Sequence, residues 1–371
     1  MPKSRSKTAL ILAGGGIMGA AYEIGCLVAL DRLFQLGFSS RRFDTFIGVS
    51  AGSVIAALIA NRIQPSGLFK TISRNERTVF NWNRRDIYRF DWWSSIRSCL
   101  QIPFNFIHIW KHYRQRNWHF TLSDLPHLIQ EQFPAGLFSL DPLQNYLCSA
   151  FRNESLCDDF NTLRNSLLIP AYDLDTGERV VFGSPGHTHP HICQAITASC
   201  AIPFFFQPYR IGSRAYLDGS TGKASHLDLA IEQGAKLIVI INPRVPFYND
   251  PKKACLPSVS YGQCSKIDDL GILFTWEQSQ RIGTQSFLHM DVENYRQKHP
   301  GIDILLFEPG PEEALFFLQG PMSISARNQV MHHGYHLTLY ELRQNYVTYQ
   351  EVFARHGINT DQNRLENRHV D

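Results

Sequence analysis

The chain has 371 residues, 44% of them hydrophobic, with 36 Lys and Arg against 33 Asp and Glu for a net charge of +3. Its apolar content supports a globular core, in one large domain or two smaller ones, and so small a charge excess gives no argument for a nucleic-acid or membrane partner. The eight cysteines contain no C-x-x-C pair, which fits neither a zinc site nor a dense disulfide scaffold; the expectation is reduced thiols in a cytoplasmic protein.

At the N-terminus Lys3, Arg5 and Lys7 precede an apolar stretch that reaches Leu30, which imitates an export signal. Three consecutive glycines, Gly14 to Gly16, and Glu23 interrupt the stretch, and a strand, turn and helix accommodate them where a continuous apolar helix does not. Residues 8–13 predict a strand buried on both faces. From Ala20 the apolar residues Ile24, Leu27, Leu30 and Phe34 recur at helical spacing, with Gly37 as a stop. Residues 43–60 repeat the pattern, an apolar strand running through Gly48-Val-Ser-Ala-Gly52 into an Ala/Ile/Leu helix. Two successive strand-to-helix units predict an α/β protein with a mainly parallel sheet.

Residues 77–120 differ from their surroundings. They hold Trp82, Trp92, Trp93, Trp110 and Trp118, five of the six tryptophans, and eight Lys or Arg against two Asp. Aromatics interleaved with cations, Arg84, Arg85 and Arg89 among them, predict an inserted lid or membrane-facing subregion over 77–133; an aromatic satellite core is the plainer alternative. Further strands are expected at 166–174, 179–183, 236–242 and 303–309, and helices around 191–200, 225–233, 268–298 and 323–346. No linker-like composition separates residues 246–371, so they are expected to complete a single domain over 7–371. No run is long and apolar enough to span a bilayer.

The spacing of Gly14, Gly16 and Gly19 fits a dinucleotide loop, which needs an acidic residue at the end of the next strand. Asp44 begins that strand instead. At its end stands G-x-S-x-G, residues 48–52, which puts Ser50 on a tight strand-to-helix turn at the helix N-terminus, where negative charge is favoured. Gly48 and Gly52 remove side chains that would clash there. A nucleophilic serine needs a base. One candidate is a late histidine, such as His289, His332 or His333. The other is Asp218, in the turn Asp218-Gly219-Ser220.

Four motifs occur in order: Gly14-Gly15-Gly16-Ile17-Met18-Gly19, Gly48 to Gly52, Ala198-Ser199-Cys200-Ala201-Ile202-Pro203, and Asp218-Gly219-Ser220. Over about residues 8–222 this arrangement resembles the patatin-like phospholipases. The resemblance implies a three-layer fold with helices on both faces of the sheet. It also implies a serine lipid acyl hydrolase, of phospholipase A or lysophospholipase type, with Ser50 as nucleophile and Asp218 as its partner in a dyad without histidine. Backbone amides of Gly15, Gly16 and Ile17 would form the oxyanion hole, and Gly219 would support the turn. The chain departs from the family pattern at Met18, where Arg or Lys is usual, and at Ser220, where Gly or Ala is usual. A histidine-based esterase and a catalytically silent membrane-associated scaffold are the competing readings.

Other strings carry less. His187, His189 and His191 alternate without an acidic ligand, Asp175-Thr-Gly177 predicts a hairpin turn, and residues 219–225 lack P-loop spacing. No metal, cofactor or nucleic acid is expected; a lipid substrate is, with peripheral membrane contact through 77–120.

Overall fold

A computed structural model describes residues 5–76, 84–90, 111, 114–115, 134–223, 225–250, 266–313 and 324–366. Most of the expected lid, including all five of its tryptophans, lies outside these residues.

The chain opens with β1 (Thr8–Leu12), α1 (Gly16–Leu33), β2 (Thr45–Gly48), α2 (Ala51–Ala60) and α3 (Pro65–Ser73). Two short strands, β3 (Arg89–Phe90) and β4 (Gly136–Ser139), lead to α4 (Asp141–Asn153). Then come β5 (Ser166–Asp173), β6 (Arg179–Phe182), α5 (Ile192–Ser199), β7 (Phe204–Phe206), β8 (Tyr209–Ile211) and β9 (Arg214–Leu217). The remainder supplies α6 (Leu227–Glu232), β10 (Leu237–Ile241), α7 (Ile272–Lys298), β11 (Asp303–Phe307), α8 (Arg327–Gln344) and α9 (Tyr346–Arg355).

The main sheet has the order β11-β10-β1-β2-β5-β9-β8, with β6 also on β5, while β3, β4 and β7 form a separate small sheet. From β11 to β5 every pairing is parallel; β6, β8 and β9 run antiparallel to their neighbours. Every residue of β1 and β10 is buried, because both faces are covered. Alternation sends Leu10 and Leu12 into one layer, with α1, α2, α4, α5 and α8, and Ala9 and Ile11 into the other, with α6 and α7. Each fully buried Leu or Ile contributes about 1.5–3 kcal/mol, so a strand that is apolar on both faces is stable only between two helical layers.

The four late strands stand where the sequence predicts them. The first helix starts earlier, at Gly16, so the glycine loop itself forms its first turn. Residues beyond 246 join the main fold through β11, which pairs with β10, and through α8, where Thr338 donates a hydrogen bond to Cys26 Sγ of α1. Asp175-Thr-Gly177 is the β5–β6 hairpin, with Asp173 Oδ1 accepting from the N–H groups of Asp175 and Thr176. His191 caps α5 and lies beside Asp158.

The expectation of reduced thiols is corrected at one pair. Cys148 on α4 and Cys193 on α5 form a disulfide, since packing of these helices brings their Cα atoms to 5.3 Å. Their separation of 45 residues carries no local signal of it. Cys26, Cys157 and Cys200 are free thiols. Among the described residues no helix is long and apolar enough to cross a membrane.

Candidate active site

Parallel register assembles the site. Leu12 pairs with Gly48 and with Ile241, so the chain leaves β1, β2 and β10 at the same edge of the sheet. The glycine loop, the serine turn and the segment around Arg244 therefore emerge side by side.

Gly14, Gly15 and Gly16 have φ of 79°, 112° and 68°, a run of left-handed backbone that residues with a Cβ resist. The run leads directly into the first turn of α1. The N–H groups of Gly16 and Ile17 lie in the first helical turn and have no intrahelical acceptor, and Gly15 caps the helix without a side-chain bond. Gly14 N–H instead donates to Glu23 Oε1 at 2.8 Å. Glu23 is fully buried, and burial raises its carboxyl well above the ordinary carboxylate range.

Ser50 caps α2 with φ 52° and ψ −131°, an unfavourable conformation for a serine that costs about 1–3 kcal/mol. A Cβ at Gly48 would lie 2.4 Å from Ser53 Cα, which explains the glycine two residues before the serine; at Gly52 it would lie 2.5 Å from Leu12 O. Three contacts hold the turn. Ser50 N–H donates to Ser199 Oγ at 3.0 Å, and its carbonyl accepts from Ser53 N–H and Ser53 Oγ at 2.9 and 2.5 Å.

Asp218 follows β9. Its N–H donates to Ala201 O at 2.9 Å, and Gly219 N–H donates to Ser199 O at 3.2 Å. The Ala198–Pro203 segment thus braces both the serine turn and the aspartate turn, and Ser199 touches both. Asp218 Oδ1 accepts from Ser220 N–H at 2.8 Å and Ser220 Oγ at 2.7 Å. Its Oδ2 is buried and completes no hydrogen bond with the described residues. Burial raises the Asp218 carboxyl above its ordinary value, against the opposing pull of Ser50, Ser220 and Arg244. The direction suits a base, because a carboxylate stripped of water takes a proton more readily.

Behind the turn, His226 is fully buried at the N-terminus of α6. Arg179 Nη1 lies 3.3 Å from Nδ1, so the ring proton sits on Nε2, which donates to Gly219 O at 3.0 Å. Burial, then the charge on Arg179, lowers the imidazole to about 4, so it is neutral near pH 7. The three histidines considered as bases are engaged elsewhere: His289 with Glu308, His332 with Ser73 Oγ and His333 with Glu313.

Two cavities meet at Ser50. One is a narrow apolar slot of about 60 Å³ between Ile17, Ala20, Val54, Leu143, Leu147 and Phe206. The other is a cleft of about 240 Å³ lined by Gly15, Asp218, Ser220, Arg244, Trp276 and Gln280. Arg244 Nη1 donates to Ser220 Oγ at 3.1 Å, which puts a guanidinium beside the Asp218 turn although residue 18 is a buried methionine.

Residues 10–231 match the family model of the patatin-like phospholipases. The chain belongs to the patatin-like phospholipase family. This family hydrolyses lipid acyl esters and acts on lipid substrates. Among solved structures, this patatin-like chain is similar to VipD from Legionella pneumophila at 13% identity and a TM-score of 0.37, covering 92% of this chain and 67% of that one. No curated protein matches it.

Five contributors to the patatin-like site were not assigned from the sequence. Ser199 lay inside a quoted motif with no role given to it. Glu23 and His226 are single polar residues in apolar helical patterns, Arg244 follows a predicted strand by two residues, and Trp276 arrives from α7. Only Arg244 had a readable signal, a cation just past the carboxyl end of a parallel strand.

Proposed function

We propose that this chain is a serine lipid acyl hydrolase in which Ser50 Oγ attacks the acyl carbonyl and Asp218 accepts its proton. The observation that carries the reading is the pairing of a strained serine turn with a buried aspartate. One oxygen of Asp218 is held by Ser220, and the other is buried with no completed hydrogen bond among the described residues, while Ser50 and the Arg244 cation also favour the charged carboxylate. The backbone amides of Gly15, Gly16 and Ile17 stabilise the oxyanion together with the N-terminus of α2, and water then releases the acyl group from Ser50.

The two cavities divide the substrate. The slot takes the start of the acyl chain. The cleft takes the leaving alcohol, where Arg244 favours an anionic group such as a phosphodiester and places phospholipids and lysophospholipids ahead of neutral esters. Residues 77–120, with their tryptophans and arginines, contact a lipid surface, and Ile272 and Leu273, exposed on the same helix as Trp276, add apolar contact near the cleft. Residues 7–371 act as one domain in this reading.

Labelling of wild type, Ser50→Ala and Asp218→Asn by a fluorophosphonate probe, followed by fatty-acid release from phospholipid vesicles, tests the mechanism. Wild type labels and releases acid while both variants are silent. Silence of Ser50→Ala alone would move the base to a histidine, and no labelling at all would favour a scaffold. For the surface, replacing Trp92, Trp93, Arg84 and Arg85 reduces vesicle binding; unchanged binding would remove that part of the reading.

A further inference from the structure

At the amino ends of the sheet strands lies a third cavity, about 560 Å³, within the size range of small-ligand sites. The residues just before β1, β2 and β5 converge there, with Arg62 from the end of α2 and the backbone of residues 357–359. Arg5, Arg42, Arg62 and Arg164 line it against the single carboxylate of Asp44, an excess of three positive charges. The whole chain has a net charge of +3, so this one cavity holds an imbalance as large as that of the entire molecule.

Asp44 is already engaged by Arg5 and Thr8 and holds no other of these cations. It pairs with Arg5 and accepts from Thr8 N–H and Thr8 Oγ1 at 2.8 and 2.9 Å. Arg62 is fixed in place, its Nη1 donating to Arg41 O and its Nη2 to Asn165 Oδ1, both at 2.7 Å. Its backbone is left-handed, with φ 69°. Burial, and then the like charges of Arg164, Arg41 and Arg42, pull its guanidinium below the ordinary value. The exposed guanidinium groups of Arg42 and Arg164 make no hydrogen bond or ion pair with any described residue. Cations gathered this way repel one another until an anion enters.

We propose that this cavity is a binding site for a small anion bearing several phosphate groups, held by Arg42, Arg62 and Arg164 at the end of the sheet opposite Ser50. Guanidinium groups match phosphate oxygens in paired hydrogen bonds, and three of them on separate segments require an anion whose charge is spread over several groups. Such an anion bridges the segments that precede β2 and β5, so binding stiffens the fold without touching the acyl chemistry. Its phosphates come from a soluble polyphosphorylated molecule or from a lipid headgroup.

Calorimetry and thermal unfolding with inositol hexakisphosphate test the site, with phosphatidylcholine vesicles containing phosphatidylinositol bisphosphate as the second arm and plain phosphatidylcholine vesicles as the blank. The soluble probe binds, raises Tm by several degrees and weakens with added salt. The double variant Arg42→Gln, Arg164→Gln loses about tenfold or more in affinity, as does Arg164→Gln in part, while Tm without anion is unchanged, because neither side chain has a partner to lose. Vesicle binding that the soluble probe displaces and the double variant loses supports the site and assigns its phosphates to a headgroup. Absence of binding by both probes, or equal binding by wild type and the double variant, overturns the proposal.

Discussion

The two ends of the central sheet are built by the same strands in the same register, yet they handle charge in opposite ways. At the carboxyl ends of β1, β2 and β10 the charged groups near Ser50 are withdrawn from water and held. Asp218 is bound by Ser220, Arg244 is bound to Ser220, and Glu23 and His226 are buried supports. At the amino ends the arginines are numerous, and two of them are exposed without partners. A buried charge must be paired or must shift its protonation, and a carboxyl shifted upward takes a proton more readily. An exposed cluster keeps its charge and can only attract. The first end is suited to chemistry, the second to binding.

The largest test of this contrast is at the reactive pair. Ser50→Ala is expected to lower acyl release by about ten-thousand-fold, and Asp218→Asn by about a thousandfold, with Tm retained. Replacing Arg42 and Arg164 leaves fluorophosphonate labelling of Ser50 intact, and a comparable loss there would erase the distinction between the two ends.

Next is Ser199→Ala, which strips the acceptor from the buried Ser50 N–H. A buried donor left unpaired costs about 1–3 kcal/mol, so kcat falls roughly tenfold to a hundredfold if that cost appears in the transition state. A change confined to KM would mean that Ser199 shapes the cleft rather than the nucleophile.

Arg244→Gln sharpens the comparison further, because it asks whether a held cation at the reactive end still reads charge. KM for phosphate-bearing esters rises about tenfold while a neutral p-nitrophenyl ester is unaffected. Equal losses on both would make Arg244 a positioning residue for Asp218. Ser220→Ala removes the Oγ hydrogen bond that lowers the Asp218 carboxyl and leaves the backbone N–H bond, so the acid limb of the labelling rate moves to higher pH.

The smallest effect concerns His226. Its folded value of about 4 lies below the unfolded value of 6.5, so between these pH values the unfolded chain binds a proton that the native chain does not. Its contribution is present above about pH 6.5 and is lost as pH falls toward about 4, at up to about 1.4 kcal/mol per pH unit. Thermal unfolding across that window shows the slope, and His226→Gln flattens it.

Much of the sheet was legible because a strand buried on both faces must be almost wholly apolar, and such runs at 8–13, 166–174 and 236–242 stand out from any other pattern. The serine turn was legible for a related reason: strand and helix approach so closely at Gly48 that only a missing side chain fits. Asp218 was visible only as one of two candidate bases until the order of motifs suggested the family.

What the amino-acid sequence determined by itself was local: which segments form the long parallel strands, where the glycine and serine turns fall, and which residues can carry nucleophilic chemistry. What only the tertiary structure decided was adjacency. The Cys148–Cys193 bond, the bracing of two turns by Ser199, the arrival of Arg244 beside Asp218 and the gathering of arginines before three strands all join residues distant in the chain. Sequence spacing is silent on such contacts, because parallel register and helix packing set the distances between segments, and those follow from how the whole core closes.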